Sequence, residues 1–357
     1  MSLVTQTVAV TGMNATDNPA PGVAVARALR AAPDFAGRIV GLGYDALDPG
    51  FYAEGLLDGA ALLPYPSAGR AALLAKLREV RRALGMDVLL PTLDSELRAV
   101  GGLRDELAAE GIATFTPRLP ALEAASKAHL AGVGAEHGFL VPESEPILTP
   151  DPIHLLIERW GLPIVIKGVY YGASVVYSEV DAIAAFHHYV ASWGLPVIAQ
   201  RFIGGEEYDI AALGDGEGGT IGAVPMRKMM LTDKGKGWSG VSVGDPELLA
   251  TTEKVIAALR WRGGLEVECL REAKSGNLYV AEINPRFPAW VFMTVGAGQN
   301  LPFASVELAL GHHVDPLPPF QVGTRFVRIS LDQVGDLSTY ATLRSAGLMA
   351  APSQEDP

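Results

Sequence analysis

A single cysteine, Cys269, stands among the 357 residues. That excludes an internal disulfide, and no grouping of Cys and His has zinc-ligand spacing. Cys269 falls in an apolar strand pattern, where a thiol packs as a small hydrophobe rather than reacting. Long apolar runs are also missing: nothing approaches the roughly 20 residues that cross a bilayer, and the N-terminus shows neither a basic leader nor an apolar core. A soluble, cytoplasmic protein is expected. Positive charge is scarce and scattered; the formal net charge is −12 and no dense Lys/Arg block occurs. This argues against nucleic acid or an anionic membrane as the main partner. Small-molecule substrates fit better, and a homodimer is left open.

What is present suits packed cores. Apolar residues make up 49%, with 40 Gly and 25 Pro against 19% charged residues, a mix of strands, helices and tight loops rather than of disorder. The length exceeds one compact core, so two or three subdomains are expected. Over the first 115 residues, short apolar runs at Val8 to Val10, Ile39 to Leu42, Val88 to Leu90 and Ile112 to Phe115 alternate with helical stretches at 22–31, 68–84 and 95–109. That order reads as a βαβ-type parallel sheet, an α/β domain. Gly12, Asn14, Asp17 and Gly22 could bring a helix N-terminus to an anion, but the spacing is not GxGxxG.

Pro117 and Pro120 mark a boundary, followed by a helix over roughly 121–137. Strands then read at 163–167, 197–202, 208–213, 220–225, 265–270 and 278–283, and helices at 152–160, 180–193 and 246–261. A polar, glycine-rich stretch runs from Thr232 to Gly240. No internal repeat is visible, and of the last forty residues only Thr324 to Leu331 reads as a strand.

The hairpin over 265–284 carries the chemistry. Glu266 and Glu268 share one face of its first arm; Glu282 and Asn284 share one face of its second. A two-residue loop at Ser275-Gly276 would separate the carboxylates, whereas a three-residue loop, Lys274-Ser275-Gly276, pairs Glu268 with Glu282. Glycine at the third position suits the left-handed residue that such a loop needs, so the odd loop is predicted. Facing carboxylates repel unless a cation lies between them. Glu268, Glu282 and the Asn284 amide oxygen form a hard, all-oxygen set suited to Mg²⁺, and Arg286, one alternation on, could reach a transferring phosphate. A solvated hairpin face would show the same pattern.

Glu282-Ile283-Asn284-Pro285-Arg286, preceded by Gly264-Leu265-Glu266-Val267-Glu268 and followed by Gly296 to Pro302, resembles the ATP-grasp superfamily, and within it the carbamoyl-phosphate-synthase-like carboxylate-amine ligases. The resemblance spans roughly 117–311. It implies an ATP-grasp fold: a Rossmann-like domain at 1–117, a first ATP-grasp subdomain at 118–200, and a second at 201–357 with the metal-binding hairpin. Ser126-Lys127, opening a helix, resembles the family's first lysine segment, and Leu162 to Lys167 the strand with its second lysine; Lys127 and Lys167 would meet the nucleotide phosphates. Tyr171-Gly172-Ala173-Ser174 resembles the glycine-rich phosphate loop, and Ile198 to Tyr208 the hinge. There Gln200, Arg201, Phe202, Ile203 and Glu207 would contact adenine and ribose, although many relatives carry an acidic residue in place of Gln200.

Arg227 and Lys228 resemble a basic pair that the family places near the triphosphate, with an exposed strand end as the alternative. Trp290 and Met293 stand where the family varies most and are the guesses for substrate contact, with Asp94, which either faces the cleft or caps a helix. The cofactors implied are ATP and Mg²⁺, two ions sharing Glu282, with Mn²⁺ as a substitute. The expected reaction activates a carboxylate as its acyl phosphate for attack by an amine, releasing ADP and phosphate, while Thr232 to Gly240 closes over the nucleotide. Phosphorylation of bicarbonate, a nucleotide-binding module without chemistry, and a nicotinamide-dependent enzyme on the N-terminal domain are the alternatives.

Overall fold

The computed structural model describes residues 3–15, 19–168, 172–231, 237–334 and 337–350. Asp17, Tyr171, Lys234, Gly235 and Lys236 lie outside them. The chain divides into two compact units, one of Met1–Leu122, Asp209–Val267 and Asn284–Pro357, the other of Glu123–Tyr208 and Glu268–Ile283.

The first unit contains the parallel sheet that the alternating pattern predicts. Its strands run in the order Leu348–Ala350, Gly59–Leu62, Ile39–Gly43, Thr7–Val10, Met86–Leu90, Ala113–Thr114. Thr7–Val10 and Ile39–Gly43 are buried at every position, as strands covered on both faces must be. The Leu348–Ala350 strand pairs antiparallel with Gly59–Leu62, so the C-terminal region supplies one edge of this sheet. The sheet orders its strands to both sides of Thr7–Val10, which leaves a crevice at the carboxyl ends of Thr7–Val10 and Met86–Leu90. Its core continues into Phe287, Trp290, Met293 and helix Leu301–Ala309. There Phe35 meets Phe303 edge-on at 6.5 Å and the Asn300 amide donates to the Ala28 carbonyl at 2.7 Å.

A second sheet runs in the order Leu278–Asn284, Arg262–Glu272, Gly205–Asp215, Thr220–Leu231, Gly237–Ser242, Arg325–Val327. Helix Pro246–Leu259 packs on Thr220–Leu231; Asp245 caps it by accepting from the Glu247 amide at 2.9 Å, and Pro246 takes the first-turn position that has no use for an N–H. The strand expected over Thr324 to Leu331 shortens to Arg325–Val327, which pairs with Ser239 to Val241.

The second unit holds an antiparallel sheet, Ser144–Ile147, Val197–Arg201, Ile164–Lys167, Ala173–Val176. Helices Pro152–Trp160 and Glu179–Trp193 pack against it around Ile153, Phe186 and Tyr189. The helix expected over 121–137 is broken into Leu119–Ala124 and Leu130–His137. Between them the Ser126 carbonyl accepts from the His129 and Leu130 amides, which opens the second helix, and the Ser126 hydroxyl pairs with His129 Nδ1 at 2.9 Å. Lys127 therefore sits in the turn between the two helices.

Candidate functional site

Four charged side chains of the second unit converge. Lys127 in the turn places Nζ 3.4 Å from Glu282 Oε1. Lys167 ends strand Ile164–Lys167, whose apolar residues anchor it in the core while its ammonium lies among Glu282, Lys127 and Glu268. Burial lowers the Lys167 ammonium below its ordinary range, Glu282 opposes that, Lys127 adds to it, and Glu268 opposes it again. The Glu282 carboxyl is raised, chiefly by burial and also by Glu268, against the pull of Lys127 and Lys167. The side chain nevertheless keeps 28% of its surface open. Two carboxylates and two ammonium groups thus act on one another within the second unit.

The hairpin turn differs from the odd loop predicted. Glu272 donates its amide to the Asn277 carbonyl at 2.9 Å, and Gly276 donates to the Glu272 carbonyl at 2.8 Å, which makes a four-residue loop, Ala273 to Gly276. Gly276 does take the left-handed conformation, φ 75°. An unbroken alternation from that turn would set Glu268 opposite Ala281. The side chains show otherwise, since Glu268 acts on Glu282 electrostatically and Asn284 Nδ2 donates to Glu266 Oε2 at 3.0 Å. Turn length alone does not fix which side chains meet.

Nearby in the second unit, Gly172 adopts φ 88° and a Cβ there would stand 2.7 Å from the Tyr189 ring. Ala173 and Ser174, expected in a flexible loop, instead belong to a strand, with Lys167 opposite Ala173 and Ile166 opposite Ser174. Ser174 is also tied to the Tyr189 hydroxyl of helix Glu179–Trp193 at 2.9 Å, which holds the strand to the helix above it. Gln200 is buried on the central strand Val197–Arg201. The Arg201 guanidinium is engaged by Glu272 at 3.1 Å and by the Tyr279 hydroxyl at 2.9 Å. Ile203 is buried, Phe202 half-buried and Glu207 exposed.

The first unit carries a second group, built around a residue that sequence reasoning did not select. The buried Glu266 accepts from Asn284, from Arg286 Nη1 at 3.1 Å and from the Trp290 indole at 2.8 Å. Arg286 also places Nε 3.4 Å from Asp94 Oδ2. Asp94 opens helix Asp94–Gly102 with Leu93 as its cap residue and makes no capping bond, so the helix-cap alternative falls. Trp290 stacks on Phe326 at 6.5 Å, and Met293 is buried in the core of the same unit. On strand Thr220–Leu231, Arg227 is exposed, while Lys228 pairs with Asp209 at 3.2 Å, both largely buried. Glu266 is recoverable from sequence only through its alternation with Glu268; its donors come from residues 18 to 24 positions away.

Residues 195–330 match the family described as ATP-grasp in the biosynthetic pathway with Ter operon. The biotin carboxylase of Campylobacter jejuni, solved as a β,γ-ATP complex, superposes on 90% of this chain and 74% of its own with TM-score 0.70 at 16% identity. The fold is ATP-grasp. Within it, an 82-residue stretch, 22% of the chain, is 35% identical to the D-alanine–D-alanine ligase of Chromohalobacter salexigens. A 172-residue stretch, 46% of the chain, is 30% identical to the phosphoribosylamine–glycine ligase of Agrobacterium fabrum. The aligned stretches cover 26% and 39% of those relatives, less than half of either. Among the described residues no helix is long and apolar enough to cross a membrane.

Proposed function

We propose that this protein is an ATP-dependent ligase that activates a carboxylate as its acyl phosphate for attack by an amine, giving an amide-type bond with ADP and phosphate. The observation that carries the reading is the convergence of Lys127 and Lys167 with Glu268 and Glu282. Phosphoryl transfer asks a protein mainly for positioning and neutralisation of charge, and this group supplies both without a nucleophile. Lys127 and Lys167 act as point charges on the nucleotide phosphates. The backbone at Gly172 approaches closely where no side chain intervenes. Gln200, Arg201, Phe202, Ile203 and Glu207 serve adenine and ribose.

The donor set also fits a hard divalent cation. Glu268 and Glu282 bring two carboxylates beside the Lys127 and Lys167 ammonium groups, and the Asn284 amide belongs to the same hard, oxygen-bearing chemistry that such a cation takes. Glu268, Glu282 and Asn284 would hold Mg²⁺, two ions sharing Glu282, or Mn²⁺ in their place; the metal would supply neutralisation of the β- and γ-phosphate charge. Arg286 meets the transferring phosphoryl group, and Arg227 and Lys228 supply further positive charge for it. Asp94 and Trp290 serve the acceptor side.

The test is incubation with MgATP, pools of carboxylates and hydroxylamine, with ADP release followed and the trapped hydroxamate identified by mass. Release that depends on one pool supports the reading, and Glu282→Ala abolishes it. Turnover by Glu282→Ala at the wild-type rate removes the assignment.

A further inference from the structure

Sequence puts Glu266 on the face of Glu268, as though a third carboxylate belonged to the metal set. Its surroundings exclude that role. A carboxylate offers about four lone-pair directions; here Oε1 takes the Trp290 indole at 2.8 Å, and Oε2 takes both the Asn284 amide at 3.0 Å and Arg286 Nη1 at 3.1 Å. The Arg328 guanidinium adds positive charge from a further element. Donors and cations surround this carboxylate, so a metal ion would meet like charge there.

We propose that Glu266 is the positioning residue for Arg286. The guanidinium lies between two carboxylates on different elements: Glu266 on strand Arg262–Glu272 and Asp94 at the start of helix Asp94–Gly102. Two anchors at different nitrogens fix the plane of a group whose side chain otherwise keeps many rotamers. The Arg286 side chain is 11% exposed, so the anchoring bonds act in a medium that screens them weakly. Glu266 orients Asn284 through the same oxygen, which makes it a shared hub for the first-unit members of the proposed site. The inference rests on the ligase reading for the role of Arg286, and on geometry alone for the network.

The experiment pairs Glu266→Gln with Arg286→Lys and the double variant, using MgATP, an amino-acid pool and hydroxylamine. Glutamine keeps the shape but loses the charge and presents an N–H to a donor. A lost charge-assisted bond predicts a fall in kcat of about 10- to 100-fold, with KM for ATP within about twofold. In the Arg286→Lys background the same change costs at most about twofold, because the two residues act as one unit. Glu266→Asp, which keeps the charge, recovers part of kcat. Equal losses in both backgrounds, or a change confined to KM, overturn the proposal.

A readout without turnover separates this from the ligase reading. The Trp290 indole N–H resonance, assigned with Trp290→Phe, moves in Glu266→Gln and also in Arg286→Lys, since both side chains bond the Glu266 carboxylate. A resonance unmoved by Arg286→Lys overturns the hub. A wild-type protein that releases no ADP with any pool removes the ligase reading and leaves this test standing.

Discussion

Replacing Glu96 with glutamine should flatten a fall of stability with pH that this one carboxyl imposes. Glu96 is 2% exposed at the crevice of the parallel sheet, where Thr11 Oγ1 donates to Oε2 at 2.5 Å and the Tyr44 hydroxyl to Oε1 at 2.5 Å. Burial raises the carboxyl from its ordinary 4.5 to about 7, against the pull of the Thr11 and Tyr44 bonds, with Asp94 adding to the rise. The folded state therefore holds a proton that the unfolded chain has released. Across that window the native state binds more protons, and stability falls as pH rises. The contribution is fully present below about pH 4.5 and gone above about pH 7. At about 1.36 kcal/mol for each tenfold change in proton affinity, the loss is roughly 3 kcal/mol. Glutamine carries no titrating proton. It costs about 1 kcal/mol for one reversed hydrogen bond, equally at every pH. Urea unfolding at about pH 5, 6, 7 and 8 should show Glu96→Gln gaining roughly 2.5 kcal/mol on the wild type across the series. Parallel curves for the two proteins would refute the assignment of the proton to Glu96.

Gly172→Ala should destabilise the second unit by roughly 1–3 kcal/mol, because the backbone holds φ 88° and the new methyl would stand 2.7 Å from the Tyr189 ring; thermal melting checks this, and an unchanged melting temperature counts against the geometry. Lys228→Met should cost roughly 3–5 kcal/mol by removing one member of the buried pair with Asp209, and Lys228→Met with Asp209→Asn should cost less than the single change. Urea midpoints of both variants decide it, and a double variant as unstable as the sum of its parts would sink it.

Much of the fold was legible because its local codes are strong. Apolar runs alternating with helical periods identified the parallel sheet; hairpin alternation selected Glu268 and Glu282, and the ATP-grasp resemblance selected Lys127 and Lys167, the charged side chains that the fold gathers. The failures have a common cause. One helix ends at Ala124 and the next opens at Leu130, with Lys127 in the turn between; Ala173 and Ser174 look like a loop until Lys167 and Ile166 pair with them. Composition is silent on both points, because competing hydrogen-bond partners come from neighbours in space.

What the sequence determined by itself is the chemistry present: lysines, carboxylates and an amide in an order that allows phosphate and cation binding. Tertiary structure decided which of them act together. The hairpin closes with a four-residue turn, not a three-residue loop, and Glu268 still acts on Glu282 while Glu266 accepts from Asn284. The burial that raises Glu96, and the anchoring of Arg286 between Glu266 and Asp94, depend on elements far apart in the chain. Hydration loss and hydrogen-bond geometry are properties of the packed surroundings, and no window of sequence contains them.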